Sequence, residues 1–202
     1  MTRRKSIRLW WLVAAFVSGV ATAMFAEELI LRTQGNRLDF TAPGLHYLTG
    51  RPLARLKNAE PVAFNFQVTL STGNRTNVLR QNTARFVVSY DLWEERFAVT
   101  KVIPSRKTAS HLTAAEIETW CVQEMAITDL NGIAATQQLW AHLEIEAEDE
   151  REARLFGRDN ITDSGISLTS LIERFSRPSK ANQLRWVRDA GPITLEQLRR
   201  GG

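Results

Sequence analysis

Between residues 61 and 70, apolar and polar side chains alternate along the chain without interruption. A period of two is the repeat of a β-strand that buries one of its faces. Residues 71–74, Ser-Thr-Gly-Asn, have the chemistry of a turn and end the pattern. We therefore predict a strand over residues 61–70 whose buried face carries five apolar side chains: Val62, Phe64, Phe66, Val68 and Leu70.

The alternation returns between residues 84 and 101, where it predicts a β-hairpin. Residues 93–96 at the bend include no Gly or Asn, so we expect a loop of about four residues around a type I turn. The apolar face of this hairpin comprises Ala84, Phe86, Val88, Tyr90, Leu92, Phe97 and Val99. Further strands are predicted on both sides of Gly35 within residues 28–42, over residues 137–147 and over residues 183–191.

Two segments have the pattern of amphipathic helices. Thr113 and Glu116 form a capping box, which opens a helix with Ile117, Trp120 and Cys121 on one face. A second helix begins near Ser167, has Leu168, Leu171, Ile172 and Phe175 at helical spacing, and ends at Arg177-Pro178. Shorter helical pieces are predicted within residues 45–59 and 194–200. The chain therefore predicts an α+β fold, a mainly antiparallel sheet of meander and hairpins with two amphipathic helices packed on one face.

The first residues have the pattern of an export signal. Four cations at positions 3, 4, 5 and 8 precede residues 9–26, which contain no charge, and Ala21-Thr22-Ala23 matches a cleavage pattern. We expect a signal peptide over residues 1–23, followed by a single α+β domain over residues 27–202. An alternative interpretation is a retained anchor in the inner membrane formed by residues 9–26, since about 20 apolar residues span a bilayer.

The positive net charge of the chain resides in this leader. The whole sequence has 26 Lys and Arg against 22 Asp and Glu, with a pI near 9.6, and the leader holds four cations and no acid. The remaining residues therefore carry 22 charges of each sign. Because nucleic-acid binding requires a basic patch on the folded domain, the composition predicts no nucleic-acid partner.

The order of these elements resembles an exported bacterial protein family known only as a domain of unknown function. The resemblance centres on the hairpin sequence Tyr90–Val99, Y-D-L-W-E-E-R-F-A-V, and extends in order of elements over residues 28–195. It implies secretion and an α+β domain. The family has no catalytic residues to transfer to this chain.

Few side chains in the sequence suggest reaction chemistry. Cys121 lies on an apolar helix face, which favours a buried structural thiol over a nucleophile. The three histidines, His46, His111 and His142, are too widely spaced to form a metal-binding pair, and His142 is expected to form a solvated pair with Glu144. We predict no catalytic residue, no metal site and no cofactor.

Two polar segments are candidate ligand sites. The acidic run from Glu144 to Glu152 contains no Gly turn and is interleaved with arginines, so we expect a solvated charged edge. The loop at residues 159–165 combines two acids, an Asn, hydroxyls and a Gly, and its candidate ligand-binding residues are Asp159, Asn160 and Asp163. The same residues also suit the lead-in to a helix.

Taken together, the sequence predicts an exported, periplasmic or extracellular bacterial envelope protein. Its leader would engage the membrane and the export machinery. We expect a non-catalytic module that binds envelope proteins or an apolar ligand. Two alternatives remain open, a membrane-tethered accessory subunit and an exported hydrolase whose site assembles from distant residues such as His111 or His142 with an acid.

Overall fold

The computed structural model of the protein describes residues 29–148 and 183–201. The predicted leader, the candidate loop with Asp159, Asn160 and Asp163, and the helix predicted near Ser167 all lie outside these residues. Within the described ranges, no helix is both long enough and apolar enough to cross a membrane.

The described residues form a mostly antiparallel α+β structure, which confirms the predicted fold class. A small hairpin of β1 (Ile30–Gln34) and β2 (Arg37–Thr41) precedes a six-stranded sheet in the order β6-β5-β4-β3-β7-β8. The strands of that sheet are β3 (Val62–Thr72), β4 (Asn77–Asp91), β5 (Arg96–Ile103), β6 (Lys107–Leu112), β7 (Leu139–Ala147) and β8 (Arg185–Ile193). The helices are α1 (Gly50–Lys57), α2 (Ala114–Gln123) and α3 (Leu195–Arg200).

The two predicted strand patterns pair with each other at the centre of the sheet. Phe64 of β3 lies opposite Phe86 of β4, and all five apolar side chains predicted on β3 are buried. The rings of Phe66 and Phe86 meet edge to face, with centroids 4.8 Å apart. The alternation thus identified the core face of the sheet correctly.

The sequence patterns missed two stretches of strand. β4 begins at Asn77, and β6 follows β5 at the edge of the sheet, but neither residues 77–83 nor residues 107–112 alternate in polarity. Both stretches are held by main-chain pairing to a neighbouring strand. Because such pairing is independent of the side chain, it leaves no periodic signal in the sequence.

The apolar face of the sheet is covered by α2 and by the β1–β2 hairpin. α2 begins at the predicted capping box, in which the side chains of Thr113 and Glu116 each accept the other's backbone N–H. Ile117 and Cys121 of this helix and Leu38 and Phe40 of β2 are buried in one core. One of the two predicted covering helices is thereby confirmed. The β1–β2 hairpin covers the apolar face beside this helix.

The described part of the acidic run lies on the opposite face of the sheet and does not form the predicted solvated edge; residues 149–152 lie outside the described residues. Glu144, Glu146 and Glu148 are buried, whereas the sequence predicted a solvated charged edge. They lie beside buried polar and cationic side chains of neighbouring strands, among them Asn65 and Arg85. Ion pairs between strands compensate buried carboxylates on this face, as in Arg85–Glu148 and Arg185–Glu144.

Candidate functional site

The loop between β4 and β5 presents two apolar side chains to solvent. It comprises residues 92–95, so the predicted length of about four residues is confirmed. Leu92, expected on the buried face, is instead 54% exposed, and Trp93 is 96% exposed. Side-chain alternation ends where β4 ends at Asp91, which is why Leu92 does not continue the core face. We call Leu92 and Trp93 the tip surface.

Local hydrogen bonds hold the tip surface in place. Asp91 Oδ1 accepts the backbone N–H of Trp93 at 2.8 Å and that of Glu94 at 3.1 Å, and these bonds lower the pKa of the Asp91 carboxyl. Glu95 completes the turn with φ of +52°, in the left-handed region. The two bonds order the backbone of the loop.

The surroundings of the tip surface are mainly acidic. Residues 91–96 contain three acids and one arginine. Glu116, at the start of α2, is a further carboxyl group, and hydrogen bonds from Thr113 lower its pKa. The tip surface is therefore an apolar patch in a segment with more acids than cations.

One histidine near this loop contacts both a hydroxyl and a carboxylate. His111 Nδ1 lies 3.1 Å from Ser110 Oγ, and His111 Nε2 lies 3.1 Å from Glu94 Oε2. His111 also has φ of +60°, a strained value for a residue with a side chain. All three groups are exposed to solvent.

His142 lies between two carboxylates and has no hydroxyl or thiol partner among the described contacts. Its Nδ1 is 2.9 Å from Asp189 Oδ1, and its Nε2 is 3.8 Å from Glu144 Oε2. Glu144 raises the pKa of His142, partial burial opposes this, and Asp189 adds to the increase. The predicted His142–Glu144 pair exists, but it is partly buried and is bridged to β8 by Asp189 and, through Glu144, by Arg185.

Cys121 is buried, as predicted from its helix face. Burial raises the pKa of its thiol far above the usual range, and burial also raises the pKa of the neighbouring Tyr47 hydroxyl. The Tyr47 ring packs edge-on against Phe64 and Phe66, with centroids 4.9 and 5.4 Å away. This arrangement fits a structural thiol in a filled core, because a thiolate nucleophile requires the opposite pKa shift.

A polar groove lined by described residues has a volume of about 460 Å³. It contains four cations, and each is held by the protein: Lys101 and Lys107 contact Glu124, Arg80 donates to the carbonyls of Asp129 and Asn131, and Arg37 donates to Asp39. Burial raises the pKa of Glu124, but its bonds to the two lysines outweigh this and lower it overall. The lining residues thus comprise four cations and two acids, Glu124 and Asp129.

A smaller pocket of about 270 Å³ lies between residues 40–46 and α2. At its base, Glu118 is buried, with Oε1 accepting the Leu48 backbone N–H and Oε2 lying 2.9 Å from His46 Nδ1. Sequence reasoning missed Glu118. The available signal was a lone acid between Ile117 and Cys121, two positions of the buried face of a helix.

No cluster of three metal-ligating side chains occurs in the parts of the chain that the structure covers. Comparisons of the chain with protein-family models, with curated proteins and with solved structures found no match.

Proposed function

We propose that this protein is a non-catalytic binding module of the bacterial envelope that captures a protein partner through its tip surface. The single observation that supports this most directly is the nearly complete exposure of Trp93 on a loop ordered by Asp91. The predicted leader would place the domain outside the cytosol. Membership of the exported family of unknown function belongs to the same proposal.

A fixed, exposed tryptophan is well suited to binding a protein. Tryptophan is enriched among the interface residues that dominate binding energy, and its ring buries a large apolar area. Because Asp91 already orders the loop, little conformational entropy remains to be lost on binding. A flexible loop with the same residues would bind more weakly.

The charges around the tip surface favour a particular partner. The acids at Asp91, Glu94 and Glu95 would repel an anionic lipid surface, which attracts basic segments instead. They complement a protein surface with an apolar cleft rimmed by Lys or Arg. The apolar-ligand version of the binding module has less support, because aromatic side chains fill the core between the sheet and residue 47.

In-cell photo-crosslinking tests this proposal. A photoreactive phenylalanine analogue at position 93 should yield one discrete adduct with an envelope protein. The same analogue at Val78, an exposed apolar residue at the opposite end of β4, is the matched control and should yield none. Equal adduct patterns at both positions, or no adduct at position 93, would contradict the proposal.

The affinity for the captured partner then tests the contributions of the tryptophan and of the acidic residues. Trp93→Ala should weaken binding at least about 30-fold, which corresponds to about 2 kcal/mol. Replacing Glu94 and Glu95 with Lys should weaken it further at low salt and less at high salt, because salt screens exposed charges. A salt-independent effect of the charge reversal would refute the basic-partner interpretation.

The leader determines whether the module is released or tethered. N-terminal sequencing of the protein from cells should give a start at Met24 or Glu27 if the signal is cleaved. A start at residue 1 or 2 would instead favour the membrane-tethered accessory subunit.

A hydrolase is the second candidate function, and the Ser110–His111–Glu94 contacts are the observation that favours it. A hydrolase requires these groups to act on a bound substrate in a cleft. Ser110→Ala would abolish hydrolysis of a small chromogenic ester if they do so. Activity that is absent in the unmodified protein, or unchanged in the variant, counts against this candidate.

A further inference from the structure

We propose that the pocket at Glu118 binds an ammonium group carried at the end of a short alkyl chain. The pocket lies between residues 40–46 and α2 and is separate from the tip surface. The inference therefore does not rest on the proposed partner of Trp93.

The walls of the Glu118 pocket are largely apolar. They are formed by Phe40 at the end of β2, by Leu45 and by Val122 of α2, with smaller side chains at Ala42 and Ala115. Its volume of about 270 Å³ lies below the range typical of drug-sized ligand sites, so it suits a chain of a few carbons. Among the described residues, no Lys or Arg lines the pocket.

The base of the pocket holds a carboxylate that lacks a permanent cationic partner within the described residues. The Glu118 side chain is only 7% exposed, and His46 is the ion-pair partner found for it there. A histidine supplies a positive charge only when it is protonated. Because a buried carboxylate is costly without a compensating charge, an ammonium ion at this position would be strongly favoured.

The two oxygens of Glu118 have different roles. Oε1 accepts the Leu48 backbone N–H at 2.9 Å and so holds residues 46–48 against α2. Oε2 contacts only the ring of His46, whose side chain is 65% exposed at the mouth of the pocket. The ring can turn into solvent without disturbing the core. An ammonium group would then donate to Oε2 while its alkyl chain packs against Phe40 and Val122.

Two kinds of ligand carry an ammonium group on a short alkyl chain: a free alkylamine, and a lysine side chain of another protein. Both present an ammonium group on a short apolar stem, and the apolar walls contribute to binding in proportion to the stem area that they bury. Titrations with n-butylammonium and with a lysine blocked at its α-amino and carboxyl groups distinguish the two sources.

The test is an NMR titration of the full chain, followed through the His46 ring and the methyl groups of Leu45 and Val122. We expect n-butylammonium to shift these signals with a Kd of about 1 mM, a value typical of a ligand with so few atoms. n-Butanol, which has the same stem without the charge, should bind at least tenfold more weakly. Comparable binding of the two compounds would overturn the proposal.

Three variants test whether binding depends on the Glu118 carboxylate, on the volume of the pocket and on the His46 ring. Glu118→Gln keeps an acceptor for the Leu48 N–H and should weaken n-butylammonium binding at least tenfold. Ala115→Leu fills the pocket, leaves Glu118 in place and should also abolish binding. His46→Ala removes the competing ring and should leave binding equal or tighter.

Each outcome is decisive. Unchanged binding in Glu118→Gln or in Ala115→Leu, with unfolding midpoints near that of the parent, would refute the site. Loss of binding in His46→Ala would refute the proposed displacement of the ring. Blocked lysine binding as tightly as n-butylammonium assigns the site to a protein side chain, and exclusion of the blocked lysine assigns it to a free amine.

Discussion

The ion pair between Arg85 and Glu148 lies at the centre of the polar face of the sheet. Arg85 Nε and Nη2 donate to the two carboxylate oxygens at 2.9 and 2.8 Å, and Asn65 donates to the same carboxylate at 3.1 Å. The two charged side chains are only 7% and 2% exposed. We predict that Arg85→Met, which keeps an unbranched apolar stem but removes the guanidinium group and its charge, strongly destabilises the fold.

The size of the effect follows from this geometry. The substitution removes two charge-assisted hydrogen bonds from a carboxylate that is buried. Removing one member of a buried pair costs about 3–5 kcal/mol. Glu148→Gln also removes the Arg85–Glu148 ion pair and still accepts from Asn65, so the double variant should lose less stability than the sum of the two single variants.

Equilibrium urea unfolding followed by circular dichroism measures both free energies. An unchanged denaturant slope would show that the variants lose stability and not compactness. Arg85→Lys is the control, since it keeps the charge but loses the two-point contact, and it should cost less than Arg85→Met. A cost below about 1 kcal/mol for Arg85→Met, or fully additive costs of Arg85→Met and Glu148→Gln, would refute the reasoning.

Three other substitutions test separate features. Gly191→Ala should cost about 3 kcal/mol or more in urea unfolding, because its Cβ would lie 2.5 Å from the Leu139 carbonyl oxygen at φ of +111°, and full stability would refute that close contact. The raised pKa of His142 means that its stabilisation is present below about pH 6.5 and is lost as pH rises through the folded-state pKa. The stability difference between the parent and His142→Gln should therefore shrink as the pH rises above about 6.5, and a constant difference would contradict the ion pair. Thr113→Ala should cost about 1 kcal/mol by thermal or urea unfolding, with Thr113→Ser near the parent, since the hydroxyl caps α2.

Local patterns predicted much of the described fold. The alternation in β3, the loop at the β4–β5 bend and the capping box of α2 are each encoded within about ten consecutive residues. Such features depend on backbone geometry and on which face is buried, and both leave a period or a motif in the sequence. The same reasoning identified the buried state of Cys121.

The candidate sites were harder to predict from local sequence patterns. The tip surface was visible only as a bend containing a tryptophan, because exposure depends on where pairing ends at Asp91. Glu118 became a candidate only when residues 40–46 were placed against α2, some 70 positions away along the chain. A lone acid on a helix gives no sign of the apolar walls that another segment will place around it.

The sequence by itself determined the α+β class, the apolar face of the sheet and the cap that starts α2, since each leaves a local pattern in the chain. The tertiary structure decided that the acidic residues of β7 are buried rather than solvated. Arg85 and Glu148 are 63 residues apart, and neither residue alone indicates that the other will neutralise it. Compensation of charge is a property of the pair in space, so only the folded arrangement reveals it.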